Sequence, residues 1–213
     1  MTCQLYLITP PVFDLDTFAP TFVEALEGGE VACVQLRMKT ADGGPAPREE
    51  VLRAAKVLVP QAQDREVAFL INDDAELAAQ LGADGVHVGQ EDTSLKAARA
   101  VVGTDAIIGV TCHNSRHLAM EASEAGADYV AFGAFYPTTT KDPKTIADPE
   151  ILEIWSTMTN VPCVAIGGIT VENAPPLIKS GADFVAVVAG VWNHPDGPAH
   201  AVRQFNKLMD TVT

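Results

Sequence analysis

Short apolar, β-branched runs recur along the chain at Cys3–Thr9, Val31–Arg37, Val67–Asp73, Gly85–Gly89, Ile107–Cys112, Tyr129–Ala134, Cys163–Gly168 and Phe184–Gly190. Several are continuous hydrophobic stretches rather than alternations, which is the pattern of parallel strands covered on both faces. The segments between them are rich in Ala, Leu, Glu and Lys and carry helix-capping chemistry. Ser94 precedes LKAARAVV and Gly103 follows it, and Ser115 precedes RHLAMEASEA with Gly126 after it. The tripeptide Gly-Ala-Asp recurs at Gly82, Gly126 and Gly181, each time between a helix and a strand, where glycine can take the left-handed conformation that ends a helix. Eight strands alternating with helices in 213 residues predict a single-domain (β/α)8 TIM barrel over residues 1–213, near the lower size limit of that fold. The rival is a doubly wound open sheet. GxGxxG and GxxxxGK[ST] are both absent, which removes the usual nucleotide signatures but not that sheet. The turn-rich Thr40–Pro47 falls inside a βα connection and reads as a mobile loop rather than a domain boundary.

Composition narrows the partners. Hydrophobic residues make up 47% and charged ones 20%, the balance of a chain that buries a sizeable core. The longest apolar stretch, Phe184 to Trp192 with Gly190 inside it, falls far short of the roughly 20 residues of a membrane helix. The N-terminal segment lacks a cationic start and soon meets Pro10, Pro11 and Asp14, so it does not read as a signal peptide, and a cytoplasmic setting is expected. Fourteen Lys and Arg stand against 28 Asp and Glu, a net charge of -14. That charge argues against nucleic acid or an anionic membrane as partner, and it requires any phosphate site to be locally cationic. Cys3, Cys33, Cys112 and Cys163 lie in or at the ends of apolar runs and form no CxxC, as expected of buried, reduced thiols.

In a βα barrel the chemistry gathers at the C-terminal ends of the strands, and the distinctive polar residues fall there. Strand two ends Gln35-Leu36-Arg37-Met38-Lys39, where alternation places Cys33, Gln35, Arg37 and Lys39 on one side if the strand stays extended. Strand three ends Asn72-Asp73-Asp74, strand four is followed by Gln90-Glu91-Asp92, and strand five ends Thr111-Cys112-His113. Strand six runs into Pro137-Thr138-Thr139-Thr140-Lys141, strand seven into Gly167-Gly168 and strand eight into Ala189-Gly190. Singly, each has an ordinary structural explanation: Asp73 or Asp74 as a helix N-cap, the threonines as turn residues, Arg37 and Lys39 as surface charges. Together they put cations, carboxylates and glycines at one rim. Two carboxylates near three cations point to a magnesium-bridged phosphate, since Mg²⁺ takes one or two carboxylates plus phosphate oxygens. Glycines after strands seven and eight match the usual phosphate pocket of the fold. His113 and His117 would share a helical face only if a helix had already begun, and HExxH is absent, so zinc hydrolysis is set aside. His87, mid-strand, reads as a hydrogen-bonded core residue.

In order, VQLRMK, INDD, GADGVHVGQED, IIGVTCHN, GADYVAFGAFYPTTTK, VAIGGIT and GADFVAVVAGVW resemble the thiamine phosphate synthase (thiamine-phosphate pyrophosphorylase) family. One segment alone carries little, because AIGGI-like strands occur in other phosphate-binding barrels. Seven in the same order, across nearly the whole chain, carry the resemblance. It implies a barrel transferase that joins hydroxymethylpyrimidine diphosphate to a thiazole phosphate with Mg²⁺, giving thiamine phosphate and pyrophosphate, and it implies a homodimer. It also implies roles by motif position. Gln35 would contact the pyrimidine, with Thr111 beside it, while Arg37, Lys39, Asn72 and Lys141 would hold the diphosphate. Arg37, Lys39 and Lys141 would be the catalytic cations, and Asp73 and Asp92 would ligate Mg²⁺. Thr138, Thr140, Gly168 and the backbone at Val188 and Ala189 would bind the thiazole phosphate. Two departures are visible: Ala189 stands where many members have Ser, which removes one hydroxyl donor, and the strand-six segment reads Gly-Ala-Phe-Tyr-Pro where Gly-Pro often opens it. A related thiazole tautomerase would use a His at the position of His113 and would have no need of the diphosphate and magnesium set. A non-catalytic, ligand-sensing paralogue would be expected to have lost a metal carboxylate or Lys141, and this chain has both carboxylates and the lysine.

Overall fold

The computed structural model describes residues 2–138 and 145–212. It is a closed barrel of parallel strands in sequential order, so the doubly wound sheet is excluded. The elements run β1 Gln4–Ile8, α1 Leu15–Leu26, β2 Cys33–Leu36, α2 Arg48–Gln63, β3 Ala68–Asn72, α3 Ala75–Leu81, β4 Gly85–Val88, α4 Leu95–Val102, β5 Ile107–His113, α5 Arg116–Glu124, β6 Tyr129–Gly133, α6 Glu150–Met158, β7 Cys163–Ile166, α7 Ala174–Lys179, β8 Phe184–Val187, α8 Ala189–Trp192 and α9 Pro198–Val212. Pairing of Gln4 with Phe184 and of Leu7 with Val187 closes β1 onto β8.

Alternation along the strands sorts the core into two layers. Tyr6, Ile8, Cys33, Leu70, Tyr129, Ala131, Val164 and Ala186 form the cluster inside the barrel. Their neighbours Leu5, Leu7, Val34, Phe69, Val130 and Phe132 belong instead to the cluster between strands and helices. Because both faces are covered, the strands read as unbroken apolar runs. Phe22, Phe69, Phe132 and Trp155 are among the largest fully buried side chains of the outer layer, each worth roughly 1.5–3 kcal/mol of burial.

The capping chemistry is in place: Asp14, Asp74, Ser94 and Ser115 accept from the backbone N–H three residues on. The Gly-Ala-Asp tripeptide does more than end a helix. Its glycines have positive φ (65°, 91° and 94°), and each aspartate then exchanges two hydrogen bonds with the start of the preceding strand. The carboxylates of Asp84, Asp128 and Asp183 accept from the N–H of Phe69, Ile108 and Cys163 at 2.7, 2.7 and 2.8 Å. Their own N–H groups donate to the carbonyls of the same residues. The sequence locates this junction but does not reveal the carboxylate's task. Asp183→Ala would strip a buried N–H of its partner, so it should lower stability by about 1–3 kcal/mol. Asp183→Asn keeps an acceptor oxygen and should cost less, as urea midpoints would read out.

One expectation is corrected. β8 stops at Val187, and Ala189–Trp192 is helical rather than extended, so the strand predicted to run to Gly190 is shorter. β5 runs through a register irregularity to His113, whose φ of 55° ends it, and α5 begins only at Arg116. His113 and His117 therefore share no helical face; His117 is 80% exposed and lies 3.6 Å from Glu121. Thr40–Pro47 holds a turn within the βα connection, in which Lys39 and Pro45 form an antiparallel bridge and the Thr40 N–H donates to the Gly44 carbonyl at 2.9 Å. The four cysteines are free and buried. Burial pushes the Cys3, Cys112 and Cys163 thiols up to about 12 and raises Cys33 likewise. No helix among the described residues is long and apolar enough to cross a membrane.

Candidate active site

The strand C-termini open onto a cavity of about 500 Å³. Of the site residues singled out in the sequence, Gln35, Arg37, Lys39, Asn72, Asp73, Asp92, Thr111, Thr138, Gly168, Val188 and Ala189 all line it. Thr140 and Lys141 lie outside the described residues. β2 ends at Leu36, yet Arg37 and Lys39 still face the cavity, so the alternation read from the sequence outlasts the strand. The Arg37 backbone N–H donates to the buried Thr9 hydroxyl at 3.0 Å, which holds the chain in that path.

The two aspartates after β3 divide their tasks. Asp74 caps α3, accepting from Leu77 N–H at 2.7 Å. Asp73 extends the ladder, its N–H donating to His87 carbonyl at 2.8 Å, and its φ of 66° turns the chain so that the next residue can cap. Asp73 is thereby left to line the cavity beside Asp92. Burial raises the Asp73 carboxyl above its ordinary value, and the charge and hydrogen bonding of Asp92 raise it further. Lys39, with Nζ 3.7 Å from Asp73, and Arg37 pull the other way without cancelling the rise. Burial lowers Arg37, and Asp73 partly offsets that. The Asp92 carboxylate is oriented by the Gly89 N–H at 2.9 Å. Two hard oxygen donors held side by side, with Asp92 disfavouring the charged form of Asp73, form a donor set that a small divalent cation would satisfy.

Opposite them the wall is backbone. Gly168 has φ +64°, and a Cβ there would collide with the Pro137 carbonyl, so only glycine lets the β7 turn approach. Asn173 clamps that turn, donating from Nδ2 to Gly168 carbonyl at 2.9 Å and accepting from Thr170 N–H at 2.8 Å. The Tyr136 hydroxyl donates to the Asn173 carbonyl at 2.7 Å. Beside this turn, Val188, Ala189 and Gly190 bring the start of α8 to the cavity.

The floor is a continuous polar chain inside an otherwise apolar barrel. Gln35 Nε2 donates to Asn72 Oδ1 at 2.6 Å, and Tyr6 Oη donates to Gln35 Oε1 at 3.0 Å. The Tyr6 and Tyr129 hydroxyls lie 2.9 Å apart. His87 bridges the Tyr129 hydroxyl and Thr111 Oγ1, both at 2.7 Å, through its two ring nitrogens. Both amide atoms of Gln35 are engaged, so its orientation toward the cavity is set. His87 is the buried, hydrogen-bonded residue expected, and it also lines the cavity. Tyr6 and Tyr129 were not singled out in the sequence, although inward-facing hydroxyls within an apolar strand signal that partners must lie nearby.

A (β/α)8 barrel with paired carboxylates, cations and a glycine turn around one cavity at its strand C-termini has the architecture of a phosphate-ester-handling barrel enzyme. The family model described as thiamine monophosphate synthase matches residues 5–191. A thiamine-phosphate synthase of Rhodospirillum centenum is 65% identical over 207 residues, 97% of this chain and 98% of that protein. One from Hyphomonas neptunium is 55% identical over 98% of this chain and 95% of the relative. Among solved structures, a thiamine phosphate pyrophosphorylase from Pyrococcus furiosus superposes with a TM-score of 0.82 at 31% identity, covering 99% of this chain and 97% of the other. The chain belongs to the thiamine monophosphate synthase family. These comparisons do not favour the tautomerase or the silent paralogue.

Proposed function

We propose that this chain is a thiamine-phosphate synthase working in the described cavity. It would couple a hydroxymethylpyrimidine diphosphate to a thiazole phosphate and release pyrophosphate, with Mg²⁺ held by Asp73 and Asp92. The observation that carries the reading is the carboxylate pair beside Lys39 and Arg37, across one cavity from the Gly168 turn. In the reaction, the bond from the exocyclic methylene carbon to the diphosphate oxygen breaks and its electron pair leaves with pyrophosphate. The aminopyrimidine ring spreads the resulting positive charge, and the thiazole nitrogen lone pair forms the new carbon–nitrogen bond. No proton has to move, so the protein's work is positioning and charge neutralisation.

The residues suit those tasks. Gln35, fixed by Tyr6 and Asn72, and Thr111, fixed by His87, present oriented polar groups to the pyrimidine. Arg37, Lys39, Asn72 and Lys141 take the diphosphate. Mg²⁺ would neutralise charge on the diphosphate oxygens as the leaving group departs. With it, the three cations and two carboxylates carry a formal charge of about +3, against about -3 on a diphosphate monoester near neutral pH. This local balance is compatible with a chain whose net charge is -14. The thiazole phosphate would meet Thr138, Thr140, the Gly168 turn and the backbone at Val188 and Ala189. The absence of a hydroxyl at Ala189 leaves that end of the pocket to backbone donors.

Pyrophosphate release measured with both substrates tests the reading. Product should form only when both substrates and Mg²⁺ are present, and isomerisation of the thiazole in place of coupling would overturn it. The pocket assignment has its own test. Thr138→Val combined with Thr140→Val should raise KM for the thiazole phosphate more than for the pyrimidine diphosphate, since each hydroxyl donor to a charged group is worth roughly 1.5–3 kcal/mol. Equal effects on both substrates would contradict it. The homodimer and the cytoplasmic setting belong to the same proposal, the first readable by light scattering.

A further inference from the structure

We propose that His194, Asp196 and His200 form a second metal site, outside the cavity, that takes a borderline divalent transition ion of the Zn²⁺ type. One ligand atom from each of the three lies within 4.8 Å of the others, and none of the three lines the cavity. Donors around a tetrahedral ion with bonds of about 2.0–2.1 Å stand about 3.4 Å apart, so small side-chain rotations close the set.

The backbone explains why residues from two helices meet. After α8 the His194 carbonyl accepts from the Gly197 N–H at 3.0 Å, and Gly197, at φ +87°, reverses the chain into α9. His200, in the first turn of α9, thereby stacks over His194, with ring centroids 5.2 Å apart and planes at 28°. Each ring has one nitrogen engaged locally. Nδ1 of His194 accepts from the Asp196 N–H at 3.1 Å, so an ion at that nitrogen takes the place of this bond. Nε2 of His200 lies 2.7 Å from the Gln204 side-chain amide, one helical turn on. With the amide oxygen turned toward the ring, Nε2–H donates to it and the Nδ1 lone pair of His200 is left for an ion, as in ligating histidines that donate their second ring N–H.

The donor set decides the class of ion. Two imidazoles and one carboxylate favour Zn²⁺, Co²⁺, Ni²⁺ or Cu²⁺ over Mg²⁺ or Ca²⁺, which prefer all-oxygen sets such as Asp73 with Asp92. Three protein ligands leave a coordination position for water. An ion there ties the end of α8 to α9, and therefore steadies the short helix whose first residues line the cavity. A net charge of -14 favours cation capture.

The test is calorimetric titration of the chelator-stripped full-length chain with Zn²⁺, in excess Mg²⁺ so that the carboxylate pair does not compete. The expected result is a single Zn²⁺ per chain and a Zn²⁺-dependent rise in the unfolding temperature. His194→Gln combined with His200→Gln should weaken binding more than the roughly 10–100-fold that loss of an outer partner costs, and Gln204→Ala should fall within that range. Asp196→Asn, at an exposed turn position that tolerates either residue, should weaken binding by at least about tenfold while unfolding normally without metal. No Zn²⁺ uptake by the wild-type chain, or wild-type affinity retained by the Asp196 and double-histidine variants, would overturn the proposal.

Discussion

Asp73→Asn and Asp92→Asn should each lower pyrophosphate release by roughly 10²–10³-fold at limiting Mg²⁺, the scale of losing one preorganised charge contact to a developing anion. Each substitution replaces a hard anionic oxygen with a neutral amide while keeping shape. Raising Mg²⁺ should restore part of the rate, because the remaining carboxylate still offers a ligand. The fold should survive. Burial and Asp92 already disfavour the charged form of Asp73, so neutralising it in metal-free protein relieves a repulsion. Thermal unfolding in chelator should accordingly be unchanged or shifted upward for Asp73→Asn. Asp74→Asn is the internal control, since Asn caps a helix as well as Asp does and Asp74 is committed to Leu77 N–H. It should leave the rate alone. Near-full activity of either cavity variant at limiting Mg²⁺ would make that aspartate a turn acid and no more.

The parts of this molecule that were readable from sequence are those where a local pattern and the tertiary role coincide. Continuous apolar runs such as Tyr129–Gly133 are readable because both of their faces are buried, the inner by Tyr129 and Ala131, the outer by Val130 and Phe132. Residues after the strands are readable because the barrel can only place them at one rim. What escaped depends on partners distant in sequence. Tyr6 reaches Tyr129 across 123 positions, and nothing in either strand announces the pair. The Gly-Ala-Asp carboxylates were visible as a repeat, but the N–H each one accepts belongs to another strand. At the end of β8, apolar content continues through Trp192 while the backbone turns helical, so hydrophobicity alone misplaces the boundary. His194 and His200 are brought together by a glycine turn rather than by helical or strand spacing.

Lys141 and His113 give opposite expectations for a synthase and for a tautomerase. If Lys141 neutralises the departing diphosphate, its charge matters more as the bond breaks than in the bound substrate, so Lys141→Ala should fall mainly on kcat. His113 lines the cavity from the end of β5, but capture of the pyrimidine cation by a nitrogen lone pair gives it no obligatory proton to carry. His113→Asn should therefore slow coupling by about tenfold or less, well under the roughly 10²–10⁴-fold typical of a lost general acid–base group. A tautomerase must remove one proton and return another to shift a double bond, so it would collapse without the histidine and tolerate loss of the lysine. Both variants belong in two assays, pyrophosphate release and thiazole isomerisation, with circular dichroism confirming that each is folded. A collapsed His113 variant beside an indifferent Lys141 variant would sink the synthase reading, whereas a large kcat loss confined to Lys141→Ala would tie the chemistry to the leaving group.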